Sequence, residues 1–131
     1  MYKIIALLLA CLFFQLGYAD SQEPTPAFLY KVLSVEAWKD SQAKTALELP
    51  AADHDFIHFS KEDQLERITS KYWADVSQYV VLKVDVTKLP GKLVFETNPG
   101  GAAKYYHLYD GSIPNSAVVE SKIVTAPGAK N

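Results

Sequence analysis

Tyr79-Val-Val-Leu-Lys-Val-Asp-Val86 is the clearest β-strand in the chain, because it is apolar and β-branched almost throughout. Shorter apolar runs lie on both sides of it and are separated by turn residues, as at Leu89-Pro-Gly91 and Asp110-Gly111. Each such run predicts a further strand. These strands are expected at residues 28–32, 56–59, 92–96, 105–109 and 116–125.

Two helices are predicted before the long strand. Ser34 is placed to cap a short helix that runs to about Ala43. The run Ser60-Lys-Glu-Asp63 resembles a capping box, with Asp in the position usually held by Glu. A second helix should follow it to about Trp73. Its spacing of three and four residues predicts a buried face made of Leu65, Ile68 and Tyr72.

The order of these elements indicates the fold class. Helices cluster early and strands dominate later, which favours an α+β fold over an alternating α/β fold. We therefore predict one compact domain with a mixed or antiparallel sheet of about five or six strands and two helices.

The N-terminus reads as a secretory signal over residues 1–19. Lys3 supplies the positive charge, Ile4 to Leu16 is nearly all apolar, and Ala19 ends the segment with a small residue. Cleavage after Ala19 would export the protein to the periplasm or to the outside of the cell. Two alternatives remain open, namely an uncleaved anchor and a lipoprotein site at Cys11.

Cleavage would leave 112 of the 131 residues, enough for one domain. We expect a flexible lead at 20–27, the domain at 28–125 and a tail at 126–131. Cys11 is the only cysteine, so the exported form would have no disulfide and no thiolate site. Loss of Lys3 leaves 12 basic against 15 acidic residues, a formal charge of −3. We expect no nucleic-acid partner and, after cleavage, no membrane contact; the oligomeric state stays open.

His58 is the main candidate for chemistry. In a strand the side chains alternate, so Ile57 and Phe59 can face the core while His58 and Ser60 share the opposite face. Two interpretations remain open for His58: a structural histidine bonded to a neighbouring strand, or an imidazole that faces a polar ligand.

Two further candidates follow later in the chain. Glu96 ends an apolar strand beside a loop, a common catalytic position and also an ordinary exposed one. His107 lies in a tyrosine-rich run that can be a half-buried sheet face or the lining of a pocket. The three histidines, including His54, lack metal-site spacing, and no metal site is predicted.

The sequence resembles the domain-of-unknown-function 952 family over about Leu29 to Val124. The most specific landmarks are Asp55-Phe-Ile-His-Phe-Ser60 and His107-Leu-Tyr109 at their observed separation. The others are Tyr30-Lys31, Trp38, Gln64, Phe95-Glu96, Ile113-Pro114 and Ala117-Val118.

The resemblance implies a split sheet similar to that of ADP-ribosyltransferases, which hold NAD in a cleft. His58-Phe59-Ser60 looks like the His-x-Ser/Thr element of that fold, which makes His58 a candidate catalytic residue and Phe59 and Ser60 candidate ligand contacts. Tyr106 or Tyr109 would stack on nicotinamide. Glu96 would stabilise positive charge on the ribose as nicotinamide leaves.

The same resemblance leaves the activity open. His107 could bind phosphate instead, as in the branch that acts on RNA 2′-phosphates, which would give a phosphotransferase-like activity. NAD is thus a candidate substrate and no other cofactor is predicted. The alternative is a noncatalytic exported module that uses the cleft to bind a small molecule or a protein.

Overall fold

The computed structural model describes residues 23–126 as an α+β domain with six strands and two α-helices, which confirms the predicted fold class. The predicted signal segment, Cys11 and most of the predicted tail lie outside the described residues. No helix within residues 23–126 is long and apolar enough to cross a membrane. The strands are β1 Phe28–Ser34, β2 Ile57–Phe59, β3 Gln78–Asp85, β4 Lys92–Thr97, β5 Lys104–Tyr109 and β6 Val118–Thr125; the helices are α1 Val35–Ser41 and α2 Leu65–Tyr72.

The strands form two antiparallel sheets of three strands each. The first has the order β1-β3-β6 and the second has the order β2-β5-β4. One bridge joins them, because the backbones of Tyr30 in β1 and Ser60 after β2 exchange hydrogen bonds of 2.8 and 2.9 Å. Residues of both sheets also line the cleft described below.

The core lies on one face of both sheets. In β3 the burial alternates strictly, so Val80, Leu82 and Val84 are fully buried, as a strand of period two predicts. Ile57 and Phe59 of β2 are also buried in this core, which confirms the predicted alternation of that segment. Apolar side chains of the remaining strands and of the loop before β6 complete it, among them Leu29, Leu33, Tyr106, Leu108 and Ile113.

The observed starts of the two helices agree only in part with the starts predicted from the sequence. Ser34 caps α1 as predicted, since its hydroxyl accepts a hydrogen bond of 3.0 Å from the Ala37 amide. The predicted capping box at Ser60 is wrong, because Ser60 pairs with Tyr30 in the bridge between the sheets. A short 3₁₀ turn, Glu62–Gln64, precedes α2 instead, and the Gln64 side chain accepts from the Lys61 amide at 2.9 Å.

The predicted buried face of α2 is also wrong for Tyr72, which is 60% exposed. Leu65 and Ile68 are only half-buried, and no residue of α2 is fully buried. The reason is the position of the helix. Its apolar face borders the cleft between the sheets rather than the core, as Ile68 and Tyr72 show.

Candidate functional site

A cleft of about 690 Å³ is lined by residues of both sheets. It is bounded by β1, the 3₁₀ turn Ala51–Asp53, β2, α2 and the loop after β4. Its walls are mainly apolar, and five of the lining residues are phenylalanine, tyrosine or tryptophan: Tyr30, Phe59, Tyr72, Trp73 and Tyr105. The polar side chains in the lining are Lys31, Asp53, His58, Ser60 and Asn98. A mostly apolar cleft with a few convergent polar groups is the usual form of a small-molecule site.

Three of these polar residues form one chain of contacts. Lys31 Nζ lies 2.7 Å from Asp53 Oδ2 and donates a hydrogen bond of 2.8 Å to the His58 carbonyl. Asp53 Oδ1 accepts from the backbone N–H of His58 at 3.1 Å and lies 2.8 Å from His58 Nδ1. Both charged side chains are almost fully buried, with 7% of Lys31 and 2% of Asp53 exposed.

Burial and ion pairing have opposite effects on the pKa values of Lys31 and Asp53. Burial lowers the pKa of Lys31, although the neighbouring Asp53 carboxylate opposes that effect. Burial alone would raise the pKa of Asp53, but the hydrogen bonds from His58 and the charge of Lys31 outweigh it and hold that pKa below its ordinary value. Asp53 is therefore an ionised carboxylate with an ammonium and an imidazole beside it.

This arrangement fixes the orientation of the His58 ring. Because the Asp53 carboxylate can only accept, the Nδ1 atom of His58 carries the hydrogen of their 2.8 Å bond. The Nε2 atom has no hydrogen-bond partner among residues 23–126. The side chain is 38% exposed and lines the cleft. In the neutral ring Nε2 is thus a hydrogen-bond acceptor available to a ligand.

A second polar network lies beside the first. His107 Nδ1 is 2.9 Å from Glu96 Oε1, and His107 Nε2 is 2.7 Å from Asn98 Oδ1. The Tyr109 hydroxyl donates to the same Glu96 oxygen. Phe56 covers this network, since its ring stacks on His107 with a centroid distance of 4.2 Å. Asn98 is the member of the network that reaches the cleft.

Hydrogen bonds shift the pKa values of the acid and the phenol in this network. The hydrogen bond from Tyr109, and then that from His107, lowers the pKa of Glu96. The bond to Glu96 raises the pKa of Tyr109. Glu96 is therefore held as a carboxylate whose Oε1 is already occupied by two donors.

The predicted site residues fall into three groups. His58, Phe59 and Ser60 line the cleft, although Phe59 is also packed in the core. Glu96, His107 and Tyr109 lie on the same sheet face as His58 but outside the cleft lining. Tyr106 lies on the opposite face, 4% exposed in the core and packed on Phe95.

The surroundings of His107 bear on the predicted phosphate contact. Its side chain is 1% exposed, and Glu96 and Asn98 bond its two ring nitrogens while Phe56 covers one face of the ring. A phosphate has no open approach to this ring in the structure, and the Glu96 carboxylate would repel it.

Three of the five polar residues named above in the cleft lining were not predicted as site residues from the sequence, namely Lys31, Asp53 and Asn98. Lys31 offered a usable signal, because it lies two residues from both Leu29 and Leu33, which are buried, and therefore shares their core-facing side of β1. A lysine in that position needs a partner. Asp53 and Asn98 lie in segments that read only as loops.

The described residues contain no group of three or more His, Cys, Asp or Glu side chains that could hold a metal ion. Asp53 with His58 and Glu96 with His107 are two separate acid–histidine pairs rather than one cluster.

Comparisons with known proteins identify related sequences and folds. A family described as a protein of unknown function (DUF952) matches residues 32–121. The crystal structure of protein CC0527 from Caulobacter crescentus is similar, with a TM-score of 0.68 and 28% identity over 78% of this chain and 90% of that one. The solution NMR structure of CC0527 gives a TM-score of 0.63 and 30% identity over 74% and 84%. No protein with a curated description of function matches the chain.

Proposed function

We propose that this chain, which belongs to the DUF952 family by a match over 90 of its 131 residues, is a ligand-binding domain. The cleft takes a small nucleotide-like molecule, with NAD as the first candidate. The observation that carries this proposal is the cleft of about 690 Å³, which combines aromatic walls with one oriented histidine. A volume of this size is in the range of sites for small ligands and cofactors.

The aromatic side chains suit a planar ligand. Tyr30, Trp73 and Tyr105 line the cleft together with the exposed Tyr72. Such rings hold a flat heterocycle by stacking and by burial of apolar area, and hydroxyls of tyrosine can bond a sugar. His58 and Ser60 add polar groups to the same lining.

Binding without chemistry is the form of this function that we favour. The proposed ADP-ribosyl chemistry requires a carboxylate that touches the ribose, and Glu96 is the candidate carried over from the resemblance. Glu96 lies outside the cleft lining, and its Oε1 is bonded to His107 and Tyr109. Cleavage of NAD is the second candidate, and release of nicotinamide would reveal it.

Export is part of the proposal and rests on the signal-like segment at residues 1–19. Free NAD is expected to be scarce outside the cytoplasm, so an exported domain would meet its ligand in another compartment or in a host. N-terminal sequencing of the protein recovered from periplasm and medium tests this; an N-terminus at Asp20 in an exported fraction supports export, and retention of Met1 in the cytoplasm contradicts it.

Calorimetric titration of the purified protein with NAD, ADP-ribose and nucleotides tests the binding function. We expect saturable binding of at least one of these ligands, and a loss of about tenfold or more in affinity on His58→Gln. His54→Gln is the matched control, because His54 is a histidine with an 89% exposed side chain outside the cleft lining.

Two outcomes would contradict the proposal. The first is no binding of any of these ligands. The second is binding that His58→Gln and His54→Gln weaken equally, which would place the ligand away from the cleft.

A further inference from the structure

We infer that the cleft recognises the uncharged ring-and-sugar part of its ligand and leaves any phosphate in solvent. The ligand class is a nucleoside moiety with an N–H or O–H donor directed at Nε2 of His58. This inference rests on the proposed function and specifies which part of a nucleotide-like molecule the site binds.

The charge of the cleft is the first argument. Lys31 is the only lysine or arginine among the residues that line it, within the part of the chain that the structure describes. Its ammonium is 2.7 Å from the Asp53 carboxylate and 2.8 Å from the His58 carbonyl, and its side chain is 7% exposed. Phosphate recognition normally uses free cationic or backbone N–H donors. A paired, buried lysine does not supply one.

The lining offers hardly any other attraction for an anion. Asp53 contributes a negative charge that balances Lys31, so the two charges of the lining cancel. The remaining polar groups are the neutral side chains of Ser60 and Asn98, the tyrosine hydroxyls and the His58 ring. Moving a phosphate dianion from water to this lining would cost more desolvation free energy than hydrogen bonds to these groups would recover.

The orientation of His58 is the second argument. Asp53 accepts a hydrogen bond from Nδ1–H, so the Nε2 atom of the neutral ring accepts rather than donates. An acceptor selects ligand N–H and O–H groups, which nucleosides carry on the base and the ribose, and it disfavours phosphate oxygens. Lys31 anchors Asp53 and is therefore a positioning residue for this selection, as Asp53 is for His58.

Paired titrations test the inference. The purified protein is titrated by calorimetry with the four ribonucleosides and with their 5′-monophosphates, at low and at high salt. We expect each nucleoside that binds to match its monophosphate within about threefold, and both affinities to be nearly independent of salt. His58→Gln should weaken a nucleoside and its monophosphate by the same factor, whereas His54→Gln should change neither.

The contrary results separate this inference from the proposed function. If a monophosphate binds more than about tenfold tighter than its nucleoside, and high salt removes that advantage, the phosphate is recognised and the inference is wrong while the binding function stands. If NAD and every nucleoside and nucleotide fail to bind, both are wrong.

Discussion

His58 and His107 lie directly opposite each other on β2 and β5, with ring centroids 5.2 Å apart and ring planes 71° apart. The Nδ1 atom of each ring is hydrogen-bonded to a different carboxylate: His58 to Asp53 at 2.8 Å, and His107 to Glu96 at 2.9 Å. The two pairs differ in access, since 38% of the His58 side chain is exposed but only 1% of His107. The Asp53–His58 pair therefore faces the cleft, and the Glu96–His107 pair contacts the cleft lining through Asn98.

We predict that Asp53→Asn lowers the free energy of unfolding at neutral pH by about 3 to 5 kcal/mol, because Lys31 is left as a buried ammonium without a carboxylate. The depressed pKa of Asp53 also fixes the sign of a pH effect. Its ionised form contributes stability above the unfolded-state pKa of about 3.9, and this contribution is lost as the pH falls below that value. Urea unfolding of the variant should therefore show a shallower loss of stability in acid.

Asp55→Asn is the matched control for that prediction, since it makes the same chemical change at a side chain that is 89% exposed. It should follow the wild-type pH curve. If Asp53→Asn and the wild type lose the same unfolding free energy as the pH falls, ionised Asp53 does not contribute to stability.

Much of the fold could be predicted from the sequence, because strands with one buried face repeat every two residues. The alternation of Val80, Leu82 and Val84 in β3, and of Ile57 and Phe59 in β2, follows this rule. Tyr72 was predicted to be buried and is not, because helical spacing identifies an apolar face without telling what that face adjoins. In this protein it adjoins a cleft.

Less of the site could be predicted. His58 stood out because strand alternation places it on the face opposite Ile57 and Phe59. Lys31 and Asp53 were missed because their pairing depends on how β1 and the 3₁₀ turn pack together, a relation between segments distant in sequence. Glu96 and His107 were chosen as separate ligand contacts, yet the structure bonds them to each other.

We predict that Glu96→Gln lowers the pKa of Tyr109 from its raised value toward the ordinary value of about 10. The hydrogen bond to the Glu96 carboxylate raises that pKa now, and an amide carries no charge to favour the protonated phenol. In the wild type this pair stabilises the fold below the unfolded-state pKa of the phenol, and the contribution is lost as the pH rises through the raised value. NMR titration of labelled tyrosine measures the shift.

The control for Glu96→Gln is Glu66→Gln, an exposed glutamate of α2. It should leave the Tyr109 titration unchanged. A Tyr109 titration that is identical in Glu96→Gln and in the wild type would contradict the proposed effect of this hydrogen bond.

We predict that Phe56→Ala exposes His107. The Phe56 ring stacks on His107 at 4.2 Å and also lies 5.2 Å from the Tyr109 ring, so its removal uncovers one side of the second network. The rate at which diethyl pyrocarbonate modifies His107, followed by mass spectrometry, should rise toward that of the exposed His54. We expect a loss of stability of about 1 to 2 kcal/mol, because Phe56 is only half-buried.

Phe28→Ala provides the comparison, since Phe28 is 38% exposed and packs beside Lys83 within the β1-β3-β6 sheet, away from His107 in the second sheet. It should leave the modification rate of His107 at the wild-type value. Should His107 stay unreactive in Phe56→Ala, another part of the structure must cover it.

The last prediction separates the two contributions of the Lys31–Asp53 pair, stability and the orientation of His58. Asp53→Leu alone should be strongly destabilising, because it leaves the Lys31 ammonium buried and unpaired. Adding Lys31→Met removes that charge, and the double variant should regain about half or more of the lost stability in urea unfolding. Its ligand affinity should stay low, because leucine accepts no hydrogen bond from His58 Nδ1 and the ring loses its fixed orientation. Recovery of affinity together with stability would mean that Asp53 serves only to neutralise Lys31; stability losses that simply add would mean that the two charges do not interact.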